Sequence, residues 1–210
     1  MEPARKIKNY KGRTSLIGKT PSRKTKEMIP WESQLERDYV ALVEADPEVT
    51  RICSQPFKIE YILDGKKHSY TPDYWVERRK KRNSVVEIKP SEYVDKFREL
   101  YEAVQIECAV KGWDYVVLTE KEIRFQPRLD NAKLLCRYSW NELPEEAALL
   151  IGPFLKAGQT RTLGELKSLF RQRGIPGTMV FTLMYLSAFS FDINKPFTDD
   201  LKIWVQGGAE

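Results

Sequence analysis

"YTPDYWVERRKKRNSVVEIKP", residues 70–90, places Asp73, Glu87 and Lys89 inside what otherwise reads as two strands joined by a basic turn. Strands that pack into a core seldom carry charge on the buried face, because an ion taken out of water without a partner is costly. Residues two apart on a strand share a side, so Glu87 and Lys89 project together while Val86 and Ile88 face the opposite way. Asp73 lies on the strand before, and Pro72 ahead of it kinks that strand, since proline cannot donate to a ladder. The two carboxylates then converge.

Converging carboxylate oxygens suit a hard cation, Mg²⁺ or Mn²⁺, which takes its ligands from one or two carboxylates plus substrate phosphate. A lysine beside them offers a compact positive charge to an attacking water or to the phosphate in its transition state. That combination hydrolyses phosphodiesters. The competing reading is a solvent-facing charge pattern, because E-x-K alone is a common tripeptide; P-D upstream, the strand context and an acidic helix before it favour the site.

Working outward, "IPWESQLERDYVALVEADPEV" carries Leu35, Tyr39, Leu42 and Val43 at helical spacing and stops at Asp46–Pro47. Glu32 and Glu36 sit four apart on one face of that helix. "QPFKIEYIL", "DGKK" and "HSYTPDYWVE" read as a β-hairpin over residues 55–77, and "SVVEIK" as a third strand. Val94, Phe97, Tyr101, Val104 and Cys108 predict a helix from Glu92 to Lys111 ended by Gly112, and "DYVVLT" a short apolar strand. Residues 31–119 thus spell α-β-β-β-α-β, with another helix from about Leu129 to Leu135.

Near "SWNELPEE" the composition shifts, which sets a domain boundary near residue 140. Beyond it "LGELKSLFRQRG" and "MVFTLMYLSAF" read as two helices around the turn "IPGT", and "FSFDINKPFTDDLKIWV" as strand, loop and strand. Helix, turn, helix and wing describe a small winged-helix-like domain over 141–210; the alternative is a merely helical extension.

The 210 residues suffice to bury roughly 70% of the unfolded surface without a disulfide staple. Cys53, Cys108 and Cys136 are odd in number and far apart, which suggests neither a disulfide framework nor a zinc site and fits a reducing compartment. No apolar run approaches a membrane span and the N-terminus lacks a signal-peptide core, so a soluble, cytoplasmic protein is expected. Of the net charge of +5, residues 1–29 hold nine basic side chains against Glu2 and Glu27. A basic arm over 1–30 on a slightly acidic body suggests a polyanion partner such as nucleic acid; the alternative is a solvated tail.

The remaining candidates divide similarly. His68, the one histidine, is an exposed strand residue before it is a general base. Gln55 marks a strand's start or positions a phosphate. Tyr70, Tyr74 and Trp75 are core aromatics or bases' stacking partners. Arg78, Arg79, Lys80, Lys81 and Arg82 form a solvated turn or hold a DNA backbone.

In "ESQLERDYVALVEADPEV", "QPFKIEY", "YTPDYWV", "VVEIKP" and "VVLTEKEIR", which together span residues 31–125, the chain resembles the PD-(D/E)xK, restriction-endonuclease-like superfamily, and more narrowly TnsA, the endonuclease subunit of heteromeric transposases. The resemblance implies an α/β fold, a restriction-endonuclease-like mixed sheet flanked by helices over 31–140. It implies Glu36, Asp73, Glu87 and Lys89 as catalytic residues, with Glu36, Asp73 and Glu87 on Mg²⁺ or Mn²⁺; Glu32, one turn earlier on the same helix face, is the substitute candidate. Some of the family carries Gln where this chain has Glu87. The implied activity is cleavage of the 5′, non-transferred strands at transposon ends. The implied partners are DNA, a TnsB-like DDE transposase and a TnsC-like AAA+ ATPase that the C-terminal domain contacts, and the implied place of action is the bacterial nucleoid. The rival readings are a stand-alone repair or restriction nuclease, and a nuclease-like module kept only as a DNA-binding adaptor.

Overall fold

A computed structural model of the chain describes residues 16–156 and 159–205. Its first elements fall inside the basic N-terminal stretch. β1 (Gly18–Pro21) and β2 (Met28–Trp31) pair antiparallel, so residues 16–30 do not form a featureless arm, and the rest of the expected arm, residues 1–15, lies outside the described residues. The hairpin is tied down by α1 (Gln34–Ala45). The buried Glu44 carboxylate of that helix accepts from the Ser22 hydroxyl at 2.7 Å and from the Arg23 N–H at 2.8 Å. Trp31 packs so closely on the hairpin's start that a Cβ on Gly18 would come within 2.3 Å of its ring.

Four strands make the central sheet, in the order β3-β6-β7-β8. β3 (Val49–Ser54), unforeseen in the sequence, pairs antiparallel with β6 (Tyr74–Arg78), which pairs antiparallel with β7 (Ser84–Ile88). The hairpin expected over residues 55–77 is shorter. β4 (Ile59–Leu63) and β5 (Lys66–Tyr70) close on each other as a separate two-stranded ribbon, and Thr71–Asp73 leaves it. Pro72 has no N–H to give a ladder, so the run from His68 to Glu77 cannot stay one strand.

After β7 come the single turn α2 (Ser91–Val94), a 3₁₀ turn at Asp95–Phe97 and α3 (Arg98–Val110). The expected Glu92–Lys111 helix is thus interrupted at Phe97. Gly112, at φ +71°, ends α3 while Trp113 N–H reaches back to the Cys108 carbonyl at 3.0 Å. β8 (Asp114–Leu118) returns parallel to β7 at the sheet's edge, and α4 (Glu120–Ile123) follows, capped by Thr119 and Glu122 acting reciprocally.

Strand alternation divides the core. Tyr74, Val76, Val86 and Ile88 pack with Leu35, Tyr39, Val40 and Val43 of α1 on one face. Trp75 and Val85 pack with Val104 and Cys108 of α3 and with Ile59 and Tyr61 of the ribbon on the other.

The chain divides into two units between Phe125 and Gln126, rather than near residue 140 as the composition suggested. The reason is α5 (Arg128–Tyr138), whose packing partner is the later helix α8. The second unit continues with α6 (Glu145–Phe154), which was not foreseen, β9 (Thr160–Thr162), α7 (Leu163–Gln172) and α8 (Met179–Tyr185). β10 (Ser190–Phe191) and β11 (Lys202–Trp204) complete a three-stranded sheet in the order β10-β11-β9. Leu135, Leu163, Leu166, Phe170 and Val180 are fully buried in this unit. Asn131 Nδ2 also donates to the Ile193 and Lys195 carbonyls, both at 2.8 Å.

Candidate active site

The acids gather where β6 begins and β7 ends. Asp73 is the last residue before β6, and its Oδ2 accepts the Ile88 N–H at 2.8 Å, which fixes one carboxylate across the end of the neighbouring strand. Glu87 sits on β7 and is only 5% exposed. It belongs to the α3 face with Val85, and Lys89, two residues on, is swung back so that Nζ lies 3.0 Å from Glu87 Oε1. Glu87 Oε2 accepts from the Tyr70 hydroxyl at the close of β5, and Tyr70 in turn lies 3.3 Å from the Tyr115 hydroxyl of β8.

Glu36 comes from the other face, on the first turn of α1. Its Oε2 accepts the Glu32 N–H at 2.9 Å and lies 3.4 Å from the Tyr74 hydroxyl, and its Oε1 accepts from Ser33 at 3.0 Å. Glu32, the substitute candidate, is engaged with Glu36 through its backbone. Asp73 just before β6, Glu87 of β7 and Glu36 of α1 therefore lie near enough for the charges of the two glutamates to act on Asp73.

Their proximity is felt most by Asp73, whose carboxyl is pushed well above the ordinary range. Burial is the main cause, then the charges of Glu87 and Glu36; the Ile88 N–H and Lys89 pull the other way without prevailing. Glu36 is also raised, first by burial, against the hydrogen bonds of its own helix start. Both Tyr70 and Tyr74 are pushed far upward by burial and by the adjacent carboxylates, which keeps them as hydroxyl donors.

As the side chains stand, no cluster of three acid, histidine or cysteine groups among the described residues is drawn together tightly enough to hold a metal ion. The donor set nonetheless fits a hard divalent cation: three oxygen ligands, one carboxyl forced upward by its neighbours, and a single lysine to offset them.

The other candidates fall elsewhere. The turn Arg79–Arg82 is exposed but lies at the opposite end of β6 and β7 from the acids, roughly 15 Å of strand away. Arg78 is half-buried and bonded to Asp46 at 2.7 Å, a structural role. Tyr74 and Trp75 are buried, Trp75 against Phe57 and Trp113, which leaves neither free to stack on a base. His68 is exposed on β5 and stacks on Tyr61 at 5.4 Å. Gln55 is buried at φ +47°, and its N–H holds the Asp73 carbonyl at 2.7 Å, so it shapes the approach to Asp73.

Tyr70 and Tyr74 were visible in the sequence only as aromatics at strand positions; nothing local marks a phenol that serves an acid on another strand. No sequence signal marks Glu120. It binds the Ser91 N–H at 2.9 Å and hydroxyl at 2.5 Å, which anchor the turn just after Lys89 and hold its own carboxyl down to about 2.

Residues 46–120 match the family model described as TnsA-like endonuclease N terminal. The chain carries a TnsA-like endonuclease domain. The TnsA-like segment runs from the end of α1 to the first residue of α4 and so contains Asp73, Glu87 and Lys89, while Glu36 precedes it. The mixed sheet flanked by helices is consistent with a restriction-endonuclease-like fold. No curated protein matches the chain. Among the described residues no helix is long and apolar enough to cross a membrane.

Proposed function

We propose that this TnsA-like chain is the subunit of a heteromeric transposase that cuts the 5′, non-transferred strands at transposon ends. The observation that carries the reading is the junction of Asp73, Glu87 and Lys89 at one sheet end within the TnsA-like segment. Asp73, Glu87 and Glu36 would hold Mg²⁺ or Mn²⁺, which supplies charge neutralisation at the scissile phosphate and acidifies a water for attack. Lys89 brings a positive charge to the phosphate oxygens. Tyr70 keeps Glu87 aimed, Tyr74 and Ser33 keep Glu36 aimed, and the Ile88 N–H fixes Asp73.

From α6 onward in the second unit the order helix, strand, helix, helix, strand, strand, with a small sheet β10-β11-β9, supports a winged-helix-like domain. In this reading it meets a TnsC-like AAA+ ATPase, a TnsB-like DDE transposase cuts the 3′ strands, and the assembly works on DNA in the bacterial nucleoid. The exposed Arg79, Lys80, Lys81 and Arg82 contact the DNA backbone away from the cut.

The test is strand-specific cleavage of labelled transposon-end DNA by the reconstituted partners with Mg²⁺. Asp73→Asn and Lys89→Ala are expected to lower 5′-strand cutting by on the order of 100-fold or more while 3′-strand cutting continues. Undiminished 5′ cutting by the folded variants would refute the assignment.

A further inference from the structure

Beside the acids lies a groove of about 390 Å³, walled by Arg98, Tyr101, Glu102 and Gln105 of α3 and by Tyr115 and Val117 of β8. Tyr115 joins it to the acids, since its hydroxyl is 3.3 Å from that of Tyr70, which donates to Glu87. Tyr101 is 7% exposed, and its hydroxyl is buried without a hydrogen-bond partner. A buried hydroxyl left unpaired is costly, so a group that serves it is expected in such a groove. Burial and then the carboxylates of Glu87 and Asp73 push that hydroxyl's pKa upward, which keeps its proton available for donation.

The occupant's chemistry follows from the walls. Asp95 at the rim holds Arg98 at 2.5 Å, and Glu102 adds a second acid, so the groove carries an excess of negative charge and repels a phosphate. A neutral group with both donors and acceptors fits better. The Tyr101 hydroxyl and the Gln105 amide can serve its acceptors, and Glu102 and the same amide its donors. The Tyr115 ring and Val117 give it apolar faces. A nucleobase has this combination of a flat apolar face and a mixed polar edge.

We propose that the α3–β8 groove receives an unstacked nucleobase of the DNA strand next to the cut, held by Tyr101 and Gln105; this rests on the nuclease reading of the adjacent acids. The base leaves its stack for the groove, and the phosphate that follows it is drawn toward Lys89. The groove then selects distorted or single-stranded DNA at the site, because an intact duplex keeps its bases stacked.

The experiment measures binding of the full chain, in EDTA so that nothing is cut, to a short single strand of mixed sequence and to an abasic strand of equal length. The two probes have the same phosphates. Wild type is expected to bind the base-bearing strand more tightly. Tyr101→Phe and Gln105→Ala should each lower that affinity about fivefold, leaving the abasic strand unchanged. Tyr101→Phe should keep or raise the melting temperature, since it removes only an unpaired hydroxyl. Equal losses on both probes would assign the contact to the backbone and overturn the proposal, as would no loss on either. Strand cutting with Mg²⁺ and the partners, run in parallel on wild type, separates the two readings. A cutting enzyme without base preference loses only the groove, whereas a base-binding chain that never cuts loses the nuclease assignment.

Discussion

Asp73 is held by a backbone N–H at one oxygen and crowded by two carboxylates, so its charge is a burden on the folded chain. The sign of the effect follows from linkage. An acid whose folded pKa lies above its unfolded value of about 4 binds its proton more tightly in the folded state. Its contribution is most favourable below about pH 4 and is lost as pH rises from there through the raised folded value. Asp73→Asn keeps an oxygen for the Ile88 N–H and removes the charge. It is expected to stabilise the first unit by ~1 kcal/mol or more near pH 8, a few degrees in melting temperature, and to flatten stability above about pH 4. Mg²⁺ should raise the melting temperature of wild type and leave that of the variant unmoved. A variant that melts lower than wild type at pH 8 would show that the carboxylate stabilises the fold after all. Such a trade of stability for chemistry is common at active sites. Asp73 and Glu87 stood out as candidates because charge at strand positions is anomalous, and Glu36 only through the family resemblance; the phenols of Tyr70 and Tyr74 did not, because an aromatic at a strand position is ordinary until its cross-strand partner is known.

At the scale of elements, the start of α1 is built around Ser33. Ser33 accepts the Glu36 N–H at 3.1 Å and donates to Glu36 Oε1 at 3.0 Å, so one residue both caps the helix and aims its acid. Ser33→Ala is expected to cost about 1 kcal/mol in a urea titration and also to weaken Mn²⁺ binding measured by calorimetry. A stability loss with unchanged Mn²⁺ affinity would make Ser33 a cap only. Helix α1 could be read in advance because its period of about 3.6 is a local signal, and so could the core of α3. Strands were harder, since pairing is decided far along the chain. The run "VTRICS" became β3 because β6 offered it an edge, and "HSYTPDYWVE" split because Thr71–Asp73 had to cross from the ribbon to the sheet. The β1–β2 hairpin was hidden by its lysines and arginines; it depends on Glu44, whose carboxylate serves Ser22 and the Arg23 N–H.

For the whole molecule, the boundary between Phe125 and Gln126 decides which pieces stand alone. The composition shift near residue 140 marks the loop after α5, which follows the change of unit. α5 belongs to the second unit through contacts that cannot be made without it. Tyr138 packs its ring 5.2 Å from Phe181, its carbonyl accepts from the Thr182 hydroxyl at 3.1 Å, and Leu129, Ala132 and Leu135 are buried. A fragment 126–210 is therefore expected to unfold cooperatively in urea, while a fragment 141–210 exposes the α8 side that α5 covers and loses several kcal/mol, ~1.5–3 for each large apolar side chain uncovered. That is comparable with the whole stability of so small a domain, so the shorter fragment should be largely unfolded. Circular dichroism with urea on both fragments distinguishes the two, and a cooperative transition in 141–210 would return the boundary to residue 140. The same pair decides how partner binding should be tested: 126–210 is the piece to offer a TnsC-like ATPase, because a failed pull-down with 141–210 would report only that its fold had been cut through α5.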